Sequence, residues 1–237
     1  MATSGDFATA MDTAEQMYLA LTASGATSAA HWREAYRDSR GLTLEYTYRL
    51  TSGRRLADVL GEQVRRRVDD PTRGLEVGII ALVASAHRWG VDLGLKVVQH
   101  SLAGPDEPFR RALGRLTDEH LIHEFDGRLS GLHQLRSSAL SDEVWRHPPP
   151  TVQDLAGTLI ELVDDDQLVA LVMSIMTEHP GFDGFVTSRL KAELHDRASL
   201  AAWASTLHAL RIIDFRRRCD RVLAELNRLG VKPADQS

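Results

Sequence analysis

Residues 121–140 read LIHEFDGRLSGLHQLRSSAL, and this stretch decides the fold that we predict. Its first five residues favour an extended chain because Ile122 and Phe125 have high β-propensity. Asp126-Gly127 is the dipeptide most typical of a two-residue hairpin turn, since both positions accept a positive φ. The chain then returns as a second strand at 129–132 and continues into a helix. The stretch therefore predicts one β-hairpin that runs directly into a helix.

Three helices are predicted before this hairpin. Apolar residues at helical spacing place them at 75–89, 93–101 and 106–119. Asp92 can cap the second helix, and Gly104-Pro105 separates it from the third. Three helices followed by a hairpin is the element order of a winged helix. We therefore predict a winged-helix domain at residues 71–147.

The flanking regions are predicted to be helical. Residues 42–50, LTLEYTYRL, are open to strand or helix by propensity, and we predict a helix within a helical domain at 1–70. Pro148-Pro149-Pro150 is the clearest linker. After it, a C-terminal domain at 148–237 carries helices that form either a bundle or a helical-repeat array. These helices are expected at 152–163, 167–178, 182–196, 200–207 and 212–229. The predicted fold class is therefore mostly α.

The composition narrows the classes of partner and compartment. The 237 residues carry a net charge of -5, which gives no overall electrostatic attraction for DNA or for an anionic membrane. The single cysteine, Cys219, cannot form an internal disulfide, as is typical of a reducing compartment. The longest apolar run, 77–86, is too short to span a bilayer. We expect a cytoplasmic protein with no membrane partner.

A search for catalytic motifs finds none. The chain lacks GxxxxGK[ST], GxGxxG after a strand, HExxH and GxSxG. His120 and His123 are close in sequence, but they fall in different predicted elements and do not share a face. The acidic run 164–166 is typical of the start of a helix, where the dipole favours negative charge. We therefore predict no catalytic residue, no metal site and no enzymatic activity in this chain alone.

Basic residues on the third helix define an alternative function. Arg110, Arg111 and Arg115 occupy the position of a recognition helix, and Arg128 lies at the wing. Acidic residues alternate with them, whereas a DNA-reading face concentrates positive charge against phosphates. We do not expect a nucleic-acid partner. The alternative remains a winged-helix DNA-binding transcriptional regulator with a helical dimerisation or ligand domain, and a helical scaffold is a third hypothesis.

Two segments resemble the STAND class of P-loop NTPases, the switch ATPases related to NLR and apoptosome proteins. Residues 131–140, GLHQLRSSAL, are similar to the segment that closes the winged helix in that family, where a methionine-histidine-aspartate motif precedes a helix with an arginine. His133 matches the histidine and Arg136 the arginine, while Leu132 and Gln134 replace the methionine and the aspartate. Residues 44–56, LEYTYRLTSGRRL, resemble the helical-lid segment of bacterial members.

The resemblance implies a regulatory module of a signalling or antiviral-defence ATPase. The P-loop and the Walker B acid of the family have no counterpart here, so ATP or ADP is implied only with a P-loop domain, in cis or in trans. The family also implies homo-oligomerisation on activation. His133 and Arg136 are then the nucleotide-sensing residues, and the winged helix couples the nucleotide state to a conformational switch. Alternatively, His133 bonds a backbone carbonyl at the strand–helix junction.

Overall fold

The computed structural model describes residues 4–24, 32–39, 43–52, 54–196 and 200–228. Within these ranges it contains twelve α-helices and one antiparallel sheet of three short strands. This confirms the mostly helical class that the sequence predicts. Contacts along the chain define two compact units, Met1–Asp69 and Asp70–Ser237. The finer division into three domains at 1–70, 71–147 and 148–237 stays a prediction.

The first unit is built around Tyr46. Its helices are α1 Ser4–Ala23, α2 Trp32–Asp38, α3 Thr43–Ser52 and α4 Leu56–Val68. The helical prediction for 42–50 is confirmed over residues 43–50, which lie in α3, and residue 42 is outside the described residues. The Tyr46 hydroxyl donates to the Ala14 carbonyl at 2.8 Å, and its ring meets that of Tyr36 edge-on at 5.4 Å between centroids. Burial, with smaller contributions from neighbouring tyrosines, raises the pKa of Tyr46 to about 12.

Glu45 joins α3 to α4 within this unit. Its Oε2 accepts the Leu56 backbone N–H at 3.2 Å, where α4 begins, and its Oε1 accepts from Arg49 Nε at 3.0 Å. Arg49 Nη1 also contacts Asp38 Oδ2 at 3.3 Å, which connects α2. A carboxylate at the start of a helix satisfies an amide that has no partner in the helix itself. The Glu45 carboxylate on α3 therefore accepts the first backbone N–H of α4.

The second unit is built around one buried helix, Gly74–Arg88. Ile79, Ile80 and Val83 of this helix are fully buried. The helix contacts three later helices and one strand, so it forms the centre of the unit. In chain order the elements up to residue 145 are α5 Gly74–Arg88, β1 Leu93–Gly94, α6 Leu95–Ser101, α7 Asp106–Asp118, β2 His123–Phe125, β3 Arg128–Ser130 and α8 Gln134–Trp145.

The hairpin turn has the geometry that its dipeptide predicts. Asp126 has φ 50° and Gly127 has φ 70°, and two consecutive positive values are typical of a type I′ turn. The turn aligns Phe125 with Arg128 and His123 with Ser130 across β2 and β3. The prediction of a hairpin at this place is therefore confirmed. Both strands are shorter than predicted.

The sheet contains a strand that the sequence analysis missed. Leu93 and Gly94 pair with Leu129 and Arg128, so the sheet order is β1-β3-β2 and one hairpin is not its whole content. The helix predicted from residue 93 begins at Leu95, and Gly94 rather than Asp92 is its N-cap residue. The expectation failed because a two-residue strand is too short to show alternation. Its pairing is set by the burial of Leu93 and Leu129.

The C-terminal part of this unit is helical, with one helix fewer than predicted. Its helices are α9 Val152–Leu162, α10 Leu168–Glu178, α11 Asp183–Asp196 and α12 Leu200–Arg228. The predicted break near residues 208–211 was wrong, since α12 is continuous there and buries Ala209 and Ile213 on its inner face. No glycine or proline interrupts that segment, so nothing stops the helix.

Candidate functional site

His133 is the N-cap residue of α8, and its imidazole takes part in the cap. The backbone is extended, and Nδ1 accepts the Leu135 backbone N–H at 3.1 Å. A neutral imidazole that accepts at Nδ1 carries its proton on Nε2. The residue is exposed, so this Nε2–H can donate to a group outside the chain. The ring binds a backbone amide and not the backbone carbonyl considered from the sequence.

Arg136 lies in the first turn of α8 and is half-buried. Its Nη2 donates to the His120 carbonyl at 2.9 Å. His120 follows α7 with a positive φ of 55°, at the point where the chain turns into the hairpin. Arg136 therefore ties the start of α8 to the entrance of the hairpin. The structure brings His133 and Arg136 together in one helical turn, as their spacing requires.

Two exposed leucines flank His133. Leu132 follows β3 and is 46% exposed, and Leu135 lies in the first turn of α8 and is 37% exposed. Both leucines lie within two residues of the exposed His133. We name Leu132, His133 and Leu135 the α8 rim. The α8 rim is an exposed part of this site.

Sequence analysis missed two residues that lie behind the α8 rim. His87 in the last turn of α5 and Ser137 in the first turn of α8 are 2.9 Å apart, from Nδ1 to Oγ. Ser137 is 1% exposed. The two residues are 50 positions apart in sequence, so no local pattern connects them. The only sequence signal is Gly131, which precedes His133 and packs against both.

The four arginines of the DNA-binding alternative are not one positive surface. Arg115 Nε lies 2.6 Å from Oε1 of the fully buried Glu76, and Arg111 lies 3.6 Å from Glu107. At the hairpin, Arg128 Nη1 contacts Asp164 Oδ2 at 2.6 Å, and its Nη2 donates to a backbone carbonyl at 2.9 Å. Arg110 is exposed on α7. Three of the four arginines therefore have a carboxylate nearby, and Arg115 shares that of Glu76 with Arg73.

Arg110 lines an open groove of about 440 Å³ between α6, α7 and β2. The apolar side chains in this groove come from Leu95, Phe109 and Leu113. Its polar side chains include the neutral Gln99 and the negatively charged Asp118 and Glu124, in addition to the positively charged Arg110. Carboxylates beside Arg110 disfavour a phosphate backbone in the groove.

The described part of the chain offers no metal centre. Among those residues, no three histidine, cysteine, aspartate or glutamate side chains are placed to hold a metal ion. Cys219 is a free, partly buried thiol on α12. Over the same residues, every helix is too short or too polar to cross a membrane.

Comparisons of this chain with protein-family models, with curated proteins and with solved structures found no match. The two segments on which the expected resemblance to STAND NTPases depends are residues 44–56 and 131–140. In the structure both motifs contain side chains that cap a helix: Glu45 at the start of α4 and His133 at the start of α8.

Proposed function

We propose that this chain is the non-catalytic regulatory module of a STAND-type signalling ATPase, acting in antiviral defence. In this proposal α1–α4 correspond to the helical lid, and α5–α8 with the small sheet correspond to the winged helix. Helices α9–α12 begin the helical sensor region. The order helix, strand, helix, helix, hairpin in the second unit supports the winged-helix assignment.

The observation that carries the proposal is the exposed and oriented imidazole of His133. Its Nδ1 is held by the Leu135 N–H at 3.1 Å, which leaves Nε2–H as the outward donor. Donation to a phosphate oxygen is a charge-assisted hydrogen bond, stronger than one between neutral groups. The N-terminus of the twelve-residue helix α8 adds a favourable dipole for an anion at the same place.

Arg136 has a supporting role in this proposal. Its guanidinium is anchored to the His120 carbonyl at 2.9 Å, one turn behind His133. From there it contributes positive charge near the start of α8 and fixes that start against the hairpin. His133 therefore donates to the nucleotide, and Arg136 stabilises the segment that presents it.

The nucleotide and its binding loop come from a partner. A P-loop domain, in cis or in trans, holds ADP, and the α8 rim packs on that domain. The bond from His133 to the ADP phosphate keeps the module closed. Loss of that bond on nucleotide exchange releases α5–α8 and permits homo-oligomerisation. We propose a cytoplasmic location, with neither nucleic acid nor membrane as a partner.

The test first looks for a Walker A loop in the reading frame that adjoins this chain, whose absence would refute the proposal, and then measures ADP release from the two parts assembled together. Replacement His133→Ala should raise the dissociation rate of a fluorescent ADP analogue by roughly tenfold or more, the value of one hydrogen bond to a charged group. His100→Ala is the control, because His100 is also exposed and ends a helix of the same unit. Equal release from the His133→Ala variant and the unmutated protein would refute the proposal.

The DNA-binding alternative retains one supporting observation. Arg110 and Arg111 are both exposed on α7, the helix that would enter a major groove. Binding to duplex DNA that weakens steeply with salt is the measurement that distinguishes this alternative from the regulatory module.

A further inference from the structure

Gly131 occupies a place where no side chain fits. It lies buried between β3 and α8. A Cβ atom at this position would overlap Ser137 Oγ and would lie 2.8 Å from His87 Nδ1, closer than such atoms approach in folded proteins. The chain that leaves the hairpin is therefore packed directly on His87 and Ser137.

His87 and Ser137 join the end of α5 to the start of α8. Their hydrogen bond, at 2.9 Å between Nδ1 and Oγ, lies beneath Gly131. Burial is the main cause that lowers the pKa of His87; Asp92 opposes it, and a charge on His133 lowers the pKa further. The two imidazoles are thus close enough for a charge on one to affect the other.

The backbone of His133 lies between Gly131 and Ser137, two residues that meet at this contact. Two residues before it stands Gly131, and four residues after it the Ser137 backbone N–H donates to the His133 carbonyl at 3.0 Å. In between, Gln134 Nε2 donates to the Arg88 carbonyl at 3.2 Å. The last turn of α5 therefore fixes the first turn of α8, including the amide that orients the His133 ring.

We infer that His87 and Ser137 are positioning residues that set the direction of His133 Nε2–H, with Gly131 providing the space for their contact. This inference rests on the proposed function for its purpose, and on the contacts above for its geometry. Neither residue touches the nucleotide. Both act through the backbone of residues 133–137. Loss of the hydrogen bond between His87 and Ser137 would allow this backbone to move.

The test reads the imidazole of His133 directly, by long-range ¹H–¹⁵N correlation spectra of the full chain. The unmutated protein should show the Nε2–H tautomer at His133. Ser137→Ala and His87→Leu should mix the two tautomers and speed exchange of the Leu135 amide by about fivefold, the value of one hydrogen bond. His87→Asn should restore the single tautomer, because an asparagine polar atom occupies the place of Nδ1.

Ser141→Ala is the matched control. Ser141 is a fully buried serine one turn further along α8, and its hydroxyl donates to the Ser137 carbonyl at 2.8 Å. Its loss costs a buried hydrogen bond of the same helix but leaves the contact beneath Gly131. A His133 tautomer that is unchanged in Ser137→Ala and His87→Leu, as in Ser141→Ala, would overturn the inference.

A measurement without mutation keeps the inference testable if a variant fails to fold. The spectra of the unmutated chain should show one tautomer at His133, with the proton on Nε2, because Nδ1 accepts the Leu135 N–H. A mixture of the two tautomers in the unmutated chain would also overturn the inference. If the proposed function is wrong, the His133→Ala variant will release ADP at an unchanged rate. That result would not alter the spectra described here.

Discussion

Arg88 at the end of α5 and Glu178 at the end of α10 are joined by a hydrogen bond of 2.7 Å from Nε to Oε1. The Arg88 guanidinium also reaches Asp142 of α8 at 2.5 Å and lies 4.3 Å from the ring centroid of Trp145. The other oxygen of Glu178, Oε2, accepts from Trp89 Nε1 at 2.8 Å. One arginine side chain thus ties α5 to α8 and to a helix beyond the 148–150 proline run.

Replacement Arg88→Ala should destabilise the second unit by about 2 kcal/mol, because it removes a largely buried cation together with its ring contact. Glu178→Gln keeps the shape of the side chain and should cost about 1 kcal/mol. Urea denaturation followed by tryptophan fluorescence measures both. Arg88 is 15% exposed, which limits screening of its charge by solvent.

The matched control for this prediction is the exposed pair Arg111–Glu107. Its side chains are 64% and 81% exposed, so Arg111→Ala should change stability by less than about 0.5 kcal/mol. Similar losses in Arg88→Ala and Arg111→Ala would show that burial of the Arg88 cluster contributes nothing.

Stability should fall as the pH drops from about 7 to about 5, through two half-buried histidines. Burial lowers the pKa of both His87 and His179; at His179 Glu178 opposes this effect, and Arg88 adds to it. The unfolded chain therefore binds more protons than the folded chain below about pH 6.5, and stability decreases there. Urea midpoints across this range measure the effect.

Replacement His179→Phe should flatten part of this pH dependence. The His179 ring stacks on Phe182 at 4.9 Å between centroids and meets Trp89 edge-on, so phenylalanine fits the same aromatic contacts. His100→Gln, at an exposed position, should leave the slope as it is. An unchanged slope in His179→Phe would exclude His179 as a source of the pH dependence.

Replacement Glu45→Ala should loosen the start of α4 in the first unit. It removes the carboxylate that accepts the Leu56 N–H at 3.2 Å and the bond from Arg49. We expect amide exchange at Leu56 to be about fivefold faster, equivalent to about 1 kcal/mol. Glu34→Ala, an exposed glutamate on α2, should not alter that exchange.

Duplex DNA should not bind tightly, since Arg111, Arg115 and Arg128 contact acidic residues. The double variant Arg110→Glu/Arg111→Glu should therefore behave like the unmutated chain in a salt-dependent binding titration. Arg115 is left in place because it neutralises the fully buried Glu76. Salt-sensitive binding that disappears in the double variant would support the DNA-binding regulator instead.

Local sequence signals predicted the features that a few neighbouring residues determine. Asp126-Gly127 gave a turn with two positive φ values, and α9 begins at Val152, the first residue of the helix predicted at 152–163. Such geometry depends on residues at most four positions apart. The helical content followed in the same way, from apolar spacing.

Features that depend on residues far apart in the chain could not be predicted from the sequence. The strand at Leu93 exists because Leu129 pairs with it, and His87 matters because Ser137 lies beside it. Neither partner, Leu129 or Ser137, affects the sequence pattern around Leu93 or His87. The length of α12 was missed for another reason, because a break was expected at 208–211 although no glycine or proline lies there to end the helix.

The cap of α8 is made by an imidazole, and a proton can remove it. When Nδ1 is protonated it becomes a donor, so it no longer accepts the Leu135 N–H that it holds at 3.1 Å. A serine or threonine in this place would keep its acceptor at every pH. In the proposed complex, the helix cap and the contact with the anion therefore use the two nitrogens of one neutral ring, Nδ1 as acceptor and Nε2–H as donor. The start of α8 and the ligand contact are coupled through a single imidazole.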